Sequence, residues 1–167
     1  VFGGRDDGDM SANLQAVARY SLPLSDTGNA RIYVKGDAQI RRYETVSDAD
    51  FDIYGLEAGF ESRTGAVKWS VGPQLLTVNV SGESYLDQYG VFASLSGAFS
   101  DSLIWIVRGD YLDQDFKELN FTANEANRSG NKMVLDAGLE FTPDDNILIA
   151  VNIAYEDKQA IDDSLAY

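Results

Sequence analysis

The sequence contains no cysteine and no histidine. Without thiols, neither a disulfide nor a thiolate metal site can form. Without imidazole, the usual neutral-pH proton shuttle, the Ser/His/Asp triad and histidine-ligated metals are excluded. Basic residues are scarce: 13 Lys and Arg stand against 27 Asp and Glu, for a net charge of −14. Such a chain repels nucleic acid, and no basic stripe offsets this. No apolar run approaches the length of a transmembrane helix. There is no G-x-S-x-G elbow, and no nucleophile with a base stands out. The composition therefore reads as a non-enzyme, with no catalytic residue, no cofactor and no metal site. Opening at Val1 without Met or a signal peptide reads as a processed protein or an excised fragment.

What the chain does have is a period of two. From Met10 to Leu24 the even positions are Met10, Ala12, Leu14, Ala16, Ala18, Tyr20, Leu22 and Leu24, all apolar. The odd positions between them, including Asn13, Gln15, Arg19 and Ser21, are mostly polar. Alternation at 180° per residue marks a strand with one apolar face. The pattern recurs, predicting strands near 10–24, 31–43, 51–62, 66–80, 86–99, 102–116, 131–142 and 146–156. Their polar faces carry Arg19, Lys35, Asp37, Arg41, Glu57, Glu61, Lys68, Arg108, Asp110, Asp136 and Glu140. Mean hydropathy is slightly negative, as expected of a barrel whose lumen residues dilute its lipid-facing ones.

Strands of about 11–15 residues exceed the globular mode of 5–6 and suit a bilayer crossing. The expected fold is an all-β, antiparallel, up-and-down transmembrane barrel, with residues 1–167 forming one such domain or part of one. Short connections at 25–30, 62–65, 100–102 and 143–146 alternate with longer ones at 45–50, 81–85 and 117–130. In outer-membrane barrels short turns are periplasmic and long loops extracellular. On that assignment Tyr20, Phe60, Trp69, Phe99, Trp105 and Phe141 form a periplasmic girdle. Tyr54, Tyr89, Tyr111 and Tyr155 form an extracellular one. The same assignment puts both chain ends outside the cell, whereas a complete even-stranded barrel has them in the periplasm. Either the sides are inverted, or the chain is an arc of a larger barrel. Val1–Gly4 reads as the end of an earlier strand, and Asp162–Tyr167 as a loop toward a ninth. Pro73 is the misfit, and a bulge beside Gly72 is expected there.

Gly72-Pro73, Tyr85-Leu86 and Tyr89-Gly90 form a "GP…YL..YG" progression across two hairpins, and Arg41-Arg42-Tyr43 ends the second strand. In these motifs about half the chain resembles the C-terminal barrel of tetratricopeptide-repeat outer-membrane proteins, including the surface lipoprotein assembly modifiers. That resemblance implies a periplasmic helical-repeat domain ahead of the barrel and lipoprotein or other protein cargo.

The polar-face charges admit two readings: a selective pore or cargo guide, or cross-strand salt bridges filling a narrow barrel. The acidic loops Asp6-Asp7-Gly8-Asp9 and Ser47-Asp48-Ala49-Asp50 lack the terminal Glu of an EF-hand and read first as solvated turns. Outside a cell they could bridge to lipopolysaccharide through Ca²⁺. Glu57 and Glu61 lie i, i+4 on one strand, roughly 13 Å apart, too far for a glycosidase pair. The long connection 117–130 is the best candidate for binding a partner. The functional expectation is transport or export across a bacterial outer membrane, in contact with its lipid and lipopolysaccharide. A non-conducting structural anchor and a soluble lipocalin-like binder are the alternatives.

Overall fold

Alternation over eight long segments becomes eight strands: β1 (Ser11–Pro23), β2 (Ala30–Tyr43), β3 (Phe51–Thr64), β4 (Val67–Val80), β5 (Glu83–Ser100), β6 (Leu103–Phe116), β7 (Gly130–Asp144) and β8 (Ile147–Ala160). The computed structural model describes residues 11–26, 28–44, 50–119, 128–144 and 147–160. The strands make one antiparallel sheet in the order β1 to β8, each paired only with its chain neighbours. Among the described residues β1 and β8 do not pair with each other, so the sheet is open. Every residue of β1 is solvent-exposed, and only Lys158 and Ala160 of β8 are not.

The register drifts steadily. Directly paired residues lead from Val17 in mid-β1 through Asp37, Gly55, Leu76, Gln88, Gln114 and Gly130 to Ala160, the last residue of β8. A sheet of tilted strands shows this stagger. It also curls. Polar-face side chains of non-adjacent strands touch: Arg19 of β1 reaches Glu61 of β3, and Gln74 of β4 reaches Asp110 of β6. The polar face is therefore concave and the apolar face convex.

Two expectations change. The connection expected at 81–85 is a two-residue turn, Ser81-Gly82, with φ of 53° and 81°. Positive φ at both positions is the mark of a type I′ hairpin, whose twist matches that of its strands. A register shift between Val78 and Asn79 accompanies it, as a bulge would. The longer connections on that side are thus two rather than three. The second change concerns Pro73, which pairs with Val91 in unbroken register with no bulge. On its other side the β3–β4 pairing is interrupted between Glu57↔Gln74 and Phe60↔Val71 while the register is kept. The missing proline N–H is accommodated there by local loss of pairing rather than by an extra residue.

Glycines make this close approach possible. A Cβ on Gly72 would lie 1.9 Å from the Ala58 carbonyl oxygen and 2.7 Å from Gly59 Cα. Gly59 in turn lies under the Tyr33 ring, 2.8 Å from where its own Cβ would stand. Because the obstacle at Gly72 is backbone, no rotamer change relieves it. Gly72→Ala is therefore expected to cost about 3 kcal/mol, read as a fall in the urea unfolding midpoint. An unchanged midpoint would show that β3 and β4 do not approach so closely.

Candidate functional site

By strand register the eleven charged residues expected on the polar face share one side of the sheet, and six of them come together in two clusters. The first is centred on Glu61, only 4% exposed. Arg19 Nη2 lies 3.0 Å and Lys68 Nζ 2.7 Å from Glu61 Oε2. Arg31 Nε lies 2.8 Å from Oε1, although no N–H is aimed along a hydrogen bond to that oxygen. Strands β1, β2 and β4 thus each bring a cation to one carboxylate on β3. The Arg19 guanidinium also stacks 4.0 Å from the Tyr33 ring centroid, a geometry favourable to cation and ring alike.

The second cluster is built on Phe92, the most buried large side chain among the described residues at 2% exposure. The Arg108 guanidinium lies 4.4 Å over its ring. Arg108 donates to Asp110 at 2.8 Å, to Gln74 Oε1 at 3.1 Å and to Glu57 at 3.2 Å. Tyr33 donates to the other Glu57 oxygen at 2.6 Å, and Gln74 to Asp110 at 2.6 Å. Glu57 therefore links the two clusters through Tyr33. Between them, Ser70 and Ser94 share a 2.7 Å hydrogen bond.

Sequence reasoning put Arg19, Glu57, Glu61, Lys68, Arg108 and Asp110 on one face, as the register does, but did not group them. It did not single out Arg31, Tyr33, Gln74 or Phe92. Phe92 is an aromatic at a polar-face position between Gly90 and Ser94, and that exception was the available signal. Of the other residues, Lys132 pairs with Glu156 at 2.9 Å. Asp37 packs its carboxylate against Gly55, and Arg41 stacks 5.1 Å from the Phe51 ring centroid. Among the described residues Lys35, Asp37, Arg41, Asp136 and Glu140 make no ion pair. Cross-strand neighbours do not dictate pairing: Asp136 stands opposite Arg108 in the ladder, yet Arg108 turns the other way.

At the far end of β5 and β6 the concave face becomes apolar. Leu86, Leu112, Phe116 and Leu119 are buried there. Tyr85 meets Phe116 edge-on at 5.5 Å, while Arg128 and Lys158 lie over the Phe116 ring at 5.0 and 4.4 Å. The base of the 117–130 connection is thus packed inward, held by the Phe116 N–H donating to Ser129 Oγ at 2.8 Å. Ser129 and Lys132 have the spacing of an S-x-x-K motif, but the hydroxyl binds backbone and the ammonium binds Glu156, so the two are not brought together. Lys117, beyond the strand end, donates a hydrogen bond to Asp115. That bond raises its pKa above the ordinary lysine value, so it remains a cation throughout the neutral range.

The aromatics expected to form girdles lie on the face opposite the charged residues. Phe60 and Trp69 pack at 5.2 Å between centroids, and Phe99 and Trp105 at 6.3 Å. Among the described residues no group of three carboxylates could hold a metal. The Asp6–Asp9 loop and residues 47–49 lie outside the described residues, as do Val1–Gly4 and Asp162–Tyr167. Asp50 accepts the Tyr43 N–H at 2.7 Å, closing the β2–β3 connection. No protein-family model, curated protein or solved structure matches the chain.

Proposed function

We propose that the chain is an arc of a transmembrane β-barrel of a bacterial outer membrane, serving transport or export, with the concave face lining the conduit. One observation carries this reading: the sheet is inside out for a water-soluble protein. Its concave face holds the charge network, while its convex face exposes Leu95, Leu135, Val151 and Ile153 at 48, 48, 57 and 71%. A continuous apolar surface of this kind demands a covering, and acyl chains supply one without breaking the alternation. A lipocalin-like binder would turn its apolar positions inward instead. The register drift, and the edges of β1 and β8 that carry no partner among the described residues, support a barrel whose perimeter is completed by strands pairing with β1 and β8. Lipid and lipopolysaccharide are its surroundings, and the family resemblance would add a periplasmic repeat domain and lipoprotein cargo.

A second reading is favoured by the apolar packing of Leu86, Leu112, Phe116 and Leu119 inside the curl. A barrel filled at that end anchors a partner and conducts nothing. Single-channel recording in a planar bilayer separates the two, since only the conduit gives a conductance.

The membrane assignment has its own test. Leu135→Arg on the convex face is expected to lower stability in lipid vesicles by about 2–4 kcal/mol, read by urea unfolding. A chain that is monodisperse in plain buffer and indifferent to this substitution would refute it.

A further inference from the structure

We propose that the concave face near the β1–β2 and β3–β4 hairpins is a binding site for a small organic polyanion, one bearing two or more carboxylate or phosphate groups. Its donors are Arg19, Arg31, Lys35 and Lys68, grouped around the buried Glu61.

The argument begins with an imbalance. Elsewhere the ion pairs give each cation one carboxylate or two, as in Lys132 with Glu156, Arg42 with Asp50 and Asp52, and Arg108 with Glu57 and Asp110. Salt bridges that merely filled the curl would keep that ratio. At Glu61 three cations share one carboxylate. Lys35 and Arg63 stand on the same face, and among the described residues neither pairs with an acid. Glu57, opposite Lys35 in the ladder, is taken by Arg108 and Tyr33. A chain of net charge −14 therefore concentrates positive charge at one end of its concave face.

The cations are also turned outward from their shared partner. Glu61 lies beneath them with its side chain 5% exposed, whereas Arg19, Arg31 and Lys68 remain 41, 46 and 39% exposed. A guanidinium carries five N–H donors and an ammonium three, more than one carboxylate can take up. Two cavities meet at Glu61 and Lys68. One, of about 240 Å³, is lined by Arg31 and Arg63. The other, of about 360 Å³, is lined by Arg19, Lys35 and Arg108, by Glu57, and by Ser70, Ser94 and Ser96. Converging guanidinium and ammonium groups beside hydroxyl donors are the chemistry that recognises carboxylate and phosphate oxygens. Two adjoining cavities sharing one lysine favour a ligand with more than one anionic group. As a selectivity filter the site rests on the conduit reading above; as a binding site it does not.

The test is calorimetric titration of the full chain in zwitterionic micelles at low salt, with pyrophosphate in one arm and citrate in the other. Saturable binding is expected, weakened at least tenfold by Arg31→Gln and by Lys68→Gln. Lys68→Arg should retain it, and Lys132→Gln, on β7, should leave it unchanged. Circular dichroism in the same micelles shows that each variant keeps its strands. Preference for one arm assigns the phosphate or the carboxylate class. Absence of saturable binding at millimolar anion, or equal loss in Lys132→Gln, overturns the site. Binding without bilayer current upholds the site and refutes the conduit, while current without binding does the reverse.

Discussion

Replacing Phe92 by alanine is expected to destabilise the sheet by about 3–5 kcal/mol, the range for emptying an aromatic core position. Phe92 is the one large side chain fully buried among the described residues. It lies on β5 where the curl brings β4 and β6 together. The loss has two parts: the apolar contacts of the ring, and the platform on which the Arg108 guanidinium lies. The second part is smaller, about 0.5–2 kcal/mol. A double-mutant cycle with Arg108→Ala separates them, because residues in contact couple measurably. Urea unfolding provides the measurement. A loss below about 0.5 kcal/mol, the size of an ordinary surface change, would mean that the concave face does not pack around this ring.

Glu61→Gln is expected to lower stability by about 2–3 kcal/mol. Removing one partner of a buried ion pair costs about 3–5 kcal/mol. The figure is reduced here because the three cations left behind are roughly half exposed and water screens them. Those cations also repel one another once the carboxylate is gone, so neutralising a second member should repair part of the damage. Glu61→Gln with Lys68→Gln is therefore expected to be more stable than Glu61→Gln alone. Thermal unfolding of both variants decides it. If the second substitution adds its own loss instead, the cluster is not held by charge balance.

Strand positions were legible in the sequence because alternation is a local property. In β7, Met133, Leu135, Ala137 and Leu139 alternate with Lys132, Val134, Asp136 and Gly138, and that pattern needs no knowledge of any other strand. The face assignment of the eleven charged residues followed from the same period. Connections were read less well. Ser81-Gly82 looked like the start of a longer loop because nothing local announces that Ser81 takes a positive φ. Pro73 suggested a bulge because its missing N–H must be accommodated somewhere. Only the neighbouring strand decides whether an extra residue or a gap in the pairing does so.

The candidate site was legible as a set of residue types and not as a place. Arg19, Arg31, Glu61 and Lys68 come from four strands, and Arg108 stands opposite Asp136 yet binds Asp110, Gln74 and Glu57. By itself the sequence determined the eight strands, the polarity of their two faces, and the absence of thiol and imidazole chemistry. These depend on composition and on a period of two residues. The tertiary structure decided which face is concave, which carboxylate three cations share, and that Phe92 is buried among polar neighbours. These depend on curl and register, set by glycine approaches such as Gly59 against Gly72, by hairpin geometry and by bulges. Each of those features acts between strands, where the pattern along one strand carries no information.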